Sequence, residues 1–168
     1  MQEDGTTKTF LRDDMLSKYV AWTEGNDIDY LFNKLGRTDD FSNYSFKNMA
    51  MLGNVEKMIG CAPNEKAKNS YKALGHFIRV WKFFDLTMRV GDVPYSESMK
   101  GEEGVEYPAY DSQKSVFLGL LNELDLADQL FESGENFDGD PVYDGDVSKW
   151  RKAVNTLQLK ILINLYKK

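Results

Sequence analysis

Cysteine, histidine and proline are scarce in this sequence, and long apolar runs are absent. The single cysteine, Cys61, has no partner for an internal disulfide, and one thiol is too little for a metal site. It follows Met58-Ile59-Gly60, which faintly resembles a lipoprotein cleavage box, but no apolar run precedes that stretch. We therefore expect Cys61 to be a half-buried thiol near a helix end, and we expect no signal peptide and no membrane span.

The single histidine argues against hydrolytic catalysis. His76 lies beside Gly75 in a long helical pattern, away from the centre of its apolar stripe. A serine hydrolase would also need a Gly-x-Ser-x-Gly elbow, and the sequence has none. We predict that His76 is a boundary or surface residue.

Positive charge is in the minority. The chain has 21 Lys and Arg against 27 Asp and Glu, for a net charge of −6. This balance disfavours a nucleic-acid backbone or an anionic membrane surface as the main partner. The length of 168 residues and the 42% hydrophobic share are those of one soluble domain with a true core.

Helical periodicity is the dominant pattern. Apolar residues repeat at three and four positions over about residues 44–59, 64–90, 112–131 and 147–165. The second stripe is the longest, and its members are Ala67, Tyr71, Leu74, Phe77, Ile78, Trp81, Phe84 and Met88. Trp81, Phe84 and Trp150 all fall on such stripes, which predicts core positions.

Capping residues mark the ends of these helices. Asn64 is a predicted N-cap, and Gly91 with Pro94 stops the second helix. Asp111 or Ser112 caps the third helix, after a loop of about sixteen residues that is long enough to suggest a function. No segment alternates as a strand does, so the sequence predicts an all-α fold of antiparallel amphipathic helix pairs.

Three sequence motifs stand where helices stop or start. They are Val90-Gly91-Asp92-Val93-Pro94-Tyr95-Ser96-Glu97-Ser98, Pro108-Ala109-Tyr110-Asp111-Ser112-Gln113, and Tyr143-Asp144-Gly145-Asp146-Val147-Ser148-Lys149-Trp150-Arg151-Lys152-Ala153-Val154-Asn155-Thr156-Leu157. In wording, order and spacing they resemble the SusD/RagB-like family, the glycan-capturing lipoproteins of the Gram-negative outer membrane. The resemblance is clearest from about residue 69 to residue 168.

This resemblance implies an architecture. It implies a single helical domain over residues 9–168, built as a tetratricopeptide-like, right-handed superhelical scaffold with long loops. Residues 1–8 are polar, and on that ground we expect them to be disordered. Members of the family are about three times longer. We therefore expect this chain to be the N-terminal portion of such a protein, with the export signal and the acylated cysteine upstream.

The resemblance also implies a function. It implies a non-catalytic glycan- or nutrient-binding protein at the cell surface, which works with a TonB-dependent outer-membrane transporter. Oligosaccharide or polysaccharide is the expected ligand, no cofactor is expected, and the membrane is reached only through a lipid anchor outside this chain. The sugar-contacting residues vary within the family, so site candidates must come from this sequence itself.

Aromatic residues outside the helical stripes are the candidates for glycan binding. A pyranose ring presents an apolar C–H face that stacks on Trp or Tyr, while neighbouring polar groups hold its hydroxyls. The candidates lie in breaks or loops, and they are Trp22, Tyr30, Tyr95, Tyr107 and Tyr110.

An acidic loop raises a second kind of site. Its carboxylates belong to Asp138, Asp140, Asp144 and Asp146, which could gather oxygen ligands for calcium. The twelve-residue calcium loop does not fit, because Val142 and Lys149 stand at ligand positions and Pro141 intrudes. We favour a helix-capping role for Asp146, with a cation site and a solvated acidic loop as the alternatives.

Two other functions compete with glycan capture. A helical-repeat module would bind a peptide or protein on its concave face. A glycosidase would need two acids about 5–10 Å apart across a sugar cleft, and nothing in the sequence places two acids in that way.

Overall fold

A computed structural model describes residues 49–166 of the protein. The chain enters through a 3-10 turn at Ala50–Asn54, which continues into helix α1 at Val55–Gly60. The predicted helix over residues 44–59 is therefore partly 3-10 in its described portion, and residues 1–48, including the predicted disordered segment 1–8, lie outside the described range. Cys61 follows α1 and is exposed, so its predicted half-burial is wrong.

Three long helices form the body of the described region. Helix α2 spans Glu65–Val90, α3 spans Gln113–Ser133 and α4 spans Val147–Tyr166. A short 3-10 turn, Gly101–Glu103, lies in the loop between α2 and α3. Within residues 49–166 the one extended pairing is an isolated bridge between Val93 and Asp111, so the all-α prediction is confirmed.

The long helices run antiparallel to their neighbours, as the hydrogen bonds between them show. The start of α2 meets the end of α3, because Ser70 donates to the carbonyl of Glu135 at 2.6 Å. Along α3 and α4, Arg151 donates twice to Asp128, at 2.8 and 2.9 Å. Helix α3 packs against both α2 and α4, and these two helices also contact each other.

Side chains define the helix boundaries much as the sequence predicts. Asn64 accepts a 2.9 Å hydrogen bond from the N–H of Ala67. Ser112, rather than Asp111, caps α3 by accepting from Ser115. Gly91 ends α2 with φ of 83°, a conformation that favours glycine. Each cap satisfies backbone groups that a helix end leaves unpaired.

The apolar stripes of the three helices meet in one core. Its fully buried members include Val80 and Phe83 from α2, Phe117 and Leu124 from α3, and Val154 from α4. Rings reinforce the packing, and the Trp150 indole meets Phe77 edge-on with centroids 5.2 Å apart.

Two predicted core residues of α2 lie at the surface instead. Trp81 is 51% exposed and Met88 is 45% exposed, whereas Phe84 and Trp150 are buried as predicted. Trp81 and Met88 follow the edge of the stripe that faces the groove between α2 and α4, and no described element covers that edge. No described helix is long and apolar enough to cross a membrane.

Candidate functional site

The loop between α2 and α3 is fastened at its base. Val93 and Asp111 exchange two backbone hydrogen bonds, of 3.2 and 3.0 Å. The Asp111 carboxylate accepts from the backbone N–H groups of Tyr95 at 3.1 Å and Ser96 at 2.8 Å. The hydrogen bond from the Ser96 backbone is the main reason that the pKa of Asp111 lies below its usual value. The carboxylate therefore stays ionised and holds the two ends of the loop together.

Two tyrosines project from this fastened loop. Farther along the loop, the Glu97 carboxylate accepts a hydrogen bond from the N–H of Ala109 at 2.8 Å. This bond joins the first part of the loop to its last part. Tyr107 is 91% exposed and Tyr110 is 68% exposed. The loop thus presents two open aromatic faces on a backbone whose shape is fixed by hydrogen bonds on either side.

A partly buried polar cluster lies beneath the loop and supports it. Arg79 on α2 donates to Glu123 on α3 at 2.9 Å, and its other end donates to the Tyr95 carbonyl and the Ser98 hydroxyl, both at 3.0 Å. The Tyr95 hydroxyl donates to Glu123 at 2.6 Å, and His76 lies 3.3 Å from the same carboxylate. One carboxylate therefore joins two helices and the loop.

The electrostatics of this cluster follow from its burial and its hydrogen bonds. Burial alone would raise the pKa of Glu123, but hydrogen bonds from His76, Tyr95 and Arg79 hold that pKa below its ordinary value. Burial, and then the hydrogen bond to Glu123, raise the pKa of Tyr95 well above its ordinary value. At neutral pH the cluster is an ionised carboxylate, a guanidinium and a neutral phenol.

Sequence reasoning missed this cluster, although a signal was present. Arg79 stands between Ile78 and Val80 on the apolar side of α2, and Glu123 precedes the buried Leu124 on α3. A charge set into an apolar stripe generally needs a partner when it is buried. Nothing in the one-dimensional pattern shows that these two charges face each other.

The structure separates the five aromatic candidates. Tyr95 is in the core, with its ring 5.1 Å from that of Phe83 and its hydroxyl held by Glu123, so it offers no open face to a sugar. Tyr107 and Tyr110 are open and belong to the same loop. The remaining candidates, Trp22 and Tyr30, lie outside the described residues.

The acidic loop between α3 and α4 is organised by one carboxylate. Asp140 accepts from the backbone N–H groups of Val142, Tyr143 and Gly145 and from the indole N–H of Trp150, at 2.7 to 3.1 Å. Burial opposes ionisation, but these four donors hold the pKa of Asp140 below its usual range. Its oxygens face N–H donors, which is the reverse of the surroundings that a cation requires.

The other three calcium candidates, Asp138, Asp144 and Asp146, do not form a group of metal ligands either. Asp146 accepts from the N–H groups of Ser148 at 2.9 Å and Lys149 at 3.2 Å, the helix cap that the sequence predicts. Asp138 and Asp144 are exposed. Among residues 49–166, no three acidic, histidine or cysteine side chains gather as metal ligands.

Stability is expected to depend on pH in both directions. The pKa values of Asp111, Glu123, Asp128 and Asp140 are lowered in the folded protein, so the unfolded chain takes up protons first as the pH falls. We expect the melting temperature to drop below about pH 4. The raised pKa of Tyr95 has the opposite sign, because the unfolded phenol ionises first, so stability is also lost above about pH 10.

Thermal melts followed by circular dichroism check this expectation. A range from about pH 2.5 to about pH 11 covers the ordinary pKa values of Asp, Glu and Tyr side chains. Asp140→Asn should flatten the acid limb, and Tyr95→Phe should flatten the alkaline limb. A melting temperature that stays constant between pH 6 and pH 3 would contradict the ionised state assigned to these carboxylates.

Antiparallel helices joined by a tyrosine-bearing, hydrogen-bonded loop define an all-α scaffold, and comparison with known proteins gives its family. The family described as starch-binding and associating with the outer membrane, a SusD-like family, matches residues 3–168. This chain belongs to the SusD-like family. Among curated protein sequences, none matches it.

Solved structures agree with this assignment. A SusD homologue from Bacteroides fragilis is 37% identical, with a TM-score of 0.77 over 99% of this chain. An outer-membrane protein from Bacteroides vulgatus, described as involved in nutrient binding, is 37% identical over 76% of this chain, with a TM-score of 0.63. A second Bacteroides fragilis SusD homologue is 31% identical over 92%, also with a TM-score of 0.63.

The similarity to these structures confirms the fold class, but it covers only part of the length of each relative. The all-α, tetratricopeptide-like class predicted from the sequence is the class of these relatives. The chain spans 34%, 27% and 34% of the three solved chains, which is about a third of their length or less.

Proposed function

We propose that this protein is a non-catalytic, glycan-binding component of a cell-surface nutrient-import system. It binds oligosaccharide or polysaccharide, is held at the outer membrane by a lipid anchor, and delivers its ligand to a TonB-dependent transporter. Membership of a family described as starch-binding and associating with the outer membrane supports the ligand class and the location. The observation that carries the proposal is the fastened loop with its two open tyrosines.

The chemistry of the loop suits a sugar. Tyr107 and Tyr110 expose most of their rings, so each can stack on the apolar C–H face of a pyranose. Because hydrogen bonds at the loop base hold the backbone in place, little conformational entropy is lost on binding. Modest affinity is expected, since sugar hydroxyls already bond well to water.

The carboxylates support a binding role rather than hydrolysis. A glycosidase needs one acid with a raised pKa, which then protonates the leaving oxygen. In the described part of the chain, each carboxyl group with a shifted pKa is shifted downwards, and its oxygens are held by structural donors. These groups fit the building of a scaffold better than proton transfer.

Removal of the two exposed rings is expected to weaken glycan binding. We expect the double variant Tyr107→Ala with Tyr110→Ala to bind maltoheptaose about tenfold more weakly, or about 1.4 kcal/mol, because both stacking faces are lost. Isothermal titration calorimetry with a panel of neutral and acidic oligosaccharides measures the change. The fold should persist, since exposed side chains contribute little to stability.

Tyr166 provides the matched control. It is 93% exposed, close to the 91% of Tyr107, but it lies at the end of α4. Tyr166→Ala should bind the same sugar as tightly as the unaltered protein does. Equal binding by the loop variant and the Tyr166 variant would remove the loop from the site, and hydrolysis of any oligosaccharide in the panel would overturn the non-catalytic role.

A further inference from the structure

The loop between α2 and α3 that carries Tyr107 and Tyr110, the tyrosine loop, is strongly acidic. Its residues 96–110 contain one base, the half-buried Lys100, and four acids. The acids are Glu97, Glu102, Glu103 and Glu106. The net charge of this segment is −3, which equals half of the net charge of −6 on the whole chain. Negative charge is therefore concentrated at the candidate glycan site.

Two of the four carboxylates are the least compensated. Glu97 accepts a backbone hydrogen bond within the loop, and Glu102 borders a cavity that two lysines also line. Glu103 and Glu106 are exposed, and neither of them forms a salt bridge within residues 49–166. Their charges are thus open to a ligand that reaches the loop.

Both carboxylates belong to the part of the loop that leads to the exposed rings. Glu106 directly precedes Tyr107, so their Cα atoms are about 3.8 Å apart. Glu103 stands four positions before Tyr107, which places the two Cα atoms at most about 14 Å apart. The Val105 N–H donates to the Lys100 carbonyl at 3.2 Å and closes the turn that carries Glu103. Exposed charges act over about 8 Å at physiological ionic strength and over about 30 Å at low salt, so both glutamates influence a ligand at Tyr107.

Aromatic faces bordered by carboxylates attract positive charge. The face of a tyrosine ring has a negative electrostatic potential, and it attracts an ammonium group within about 6 Å of its centre. Carboxylates beside the ring strengthen this attraction, whereas a carboxylate or sulfate on the ligand meets like charge. A sugar that stacks on Tyr107 or Tyr110 is therefore sorted by the charge that it carries.

We propose that the tyrosine loop selects glycans by charge: through Glu103 and Glu106 it favours glycans with free amino groups and disfavours glycans with carboxylate or sulfate groups. This inference rests on the proposed glycan function, in which the tyrosines supply the stacking surface, and it assigns the charge of that surface to the glutamates. Neutral glycans take an intermediate place, because they stack on the rings without gaining or losing a charge interaction.

Three forms of one sugar test the proposal on the full chain. They are maltoheptaose, a derivative with an amine in place of each C6 hydroxyl, and a derivative oxidised to a carboxylate at each C6. At about pH 6 the glutamates are ionised and a primary amine is protonated. Isothermal titration calorimetry at about 10 mM salt should show the amine form binding about fivefold more tightly than maltoheptaose, and the carboxylate form about fivefold more weakly. At about 1 M salt the three affinities should converge.

Variants locate the charge selection. Glu103→Gln with Glu106→Gln keeps the shape of both side chains and leaves the tyrosines in place, so it should bind maltoheptaose as the unaltered protein does. The difference between the amine and carboxylate forms should fall from about 25-fold to less than about fivefold. Asp138→Asn with Asp144→Asn is the matched control, because it removes the same two charges from exposed positions in another loop. This control should keep the full difference.

Four results would overturn the proposal. Equal binding of the three forms at low salt, with maltoheptaose binding that still needs Tyr107 and Tyr110, would refute charge selection and leave the glycan function standing. Failure of all three forms to bind would remove both. A preference that survives the two glutamine substitutions, or disappears with the two asparagine substitutions, would not belong to the loop. Unchanged binding of the amine form by Tyr107→Ala with Tyr110→Ala would place that binding away from the tyrosines.

Discussion

Replacing Glu123 with leucine is expected to lower the free energy of unfolding by about 2–4 kcal/mol. The substitution removes the carboxylate that pairs with Arg79 and accepts from the Tyr95 hydroxyl, at 2.9 and 2.6 Å. Arg79 is about three-quarters buried, so its charge would be left without a partner in a poorly solvated place. For a domain that is stable by about 5–15 kcal/mol, this is a large loss.

Chemical denaturation followed by circular dichroism measures the effect of Glu123→Leu. Glu132→Gln is the control on the same helix. Glu132 is 68% exposed, and its ion pair with Arg151, at 3.7 Å, lies at the surface, where ion pairs contribute little. It should change stability by less than about 0.5 kcal/mol. The double variant Arg79→Leu with Glu123→Leu should be less destabilised than the sum of the two single variants, because no unpaired charge then remains. Strict additivity would mean that the two side chains do not interact.

The same variant connects stability to ligand binding. Arg79 fixes the loop by donating to the Tyr95 carbonyl and the Ser98 hydroxyl, and Glu123 in turn fixes Arg79. When Glu123 is lost, the base of the tyrosine loop is released, and glycan affinity should fall even at temperatures where the chain remains folded. Full affinity in a folded Glu123→Leu protein would show that the loop does not need this support.

Replacing Asp140 with alanine is expected to lower the free energy of unfolding by about 2–4 kcal/mol. The carboxylate satisfies three backbone N–H groups and the Trp150 indole, and the backbone N–H of Gly145 is buried. Alanine accepts no hydrogen bond, so these donors would be left unpaired away from water. Trp150 packs against Phe77 and Tyr143, with centroid distances of 5.2 and 4.9 Å, so the loss of its anchor also loosens the core.

Asp138 offers a close comparison for Asp140. It lies two residues earlier in the same loop, and its side chain is exposed. Asp138→Ala should be neutral within about 0.5 kcal/mol, whereas Asp140→Ala should shift the denaturation midpoint strongly. Addition of calcium should leave the midpoints of the unaltered protein and of Asp138→Ala unchanged, because in both the Asp140 oxygens are occupied by N–H donors. Similar midpoints for the two variants would contradict the central role given to Asp140.

The helices were predictable because their signals are local. Apolar spacing along α2 and the side-chain cap at Asn64 depend on residues within one or two turns, and both appear in the structure. The Asp146 cap and the start of α4 at Val147 were predictable for the same reason. The exception near residue 50, where a 3-10 turn replaces α-helix, concerns backbone hydrogen bonding that periodicity does not distinguish.

The candidate site was only partly predictable. The sequence places Tyr107 and Tyr110 in a loop, and in the structure both side chains are exposed. Tyr95 is in the same loop but is buried, because its ring packs against Phe83 on α2 and its hydroxyl donates to Glu123 on α3. A loop position in the sequence does not show which side chains turn inwards.

The sequence by itself determined the helical class, the helix ends, the family motifs and the separation of apolar from polar faces, because each of these depends on neighbours within a few residues. The tertiary structure alone decided what distant residues do to one another. It brought Arg79 and Glu123 together across two helices, and it gave Asp140 its four donors. It also left Trp81 half exposed, because burial depends on which neighbouring element covers a face, and helical periodicity carries no information about that neighbour.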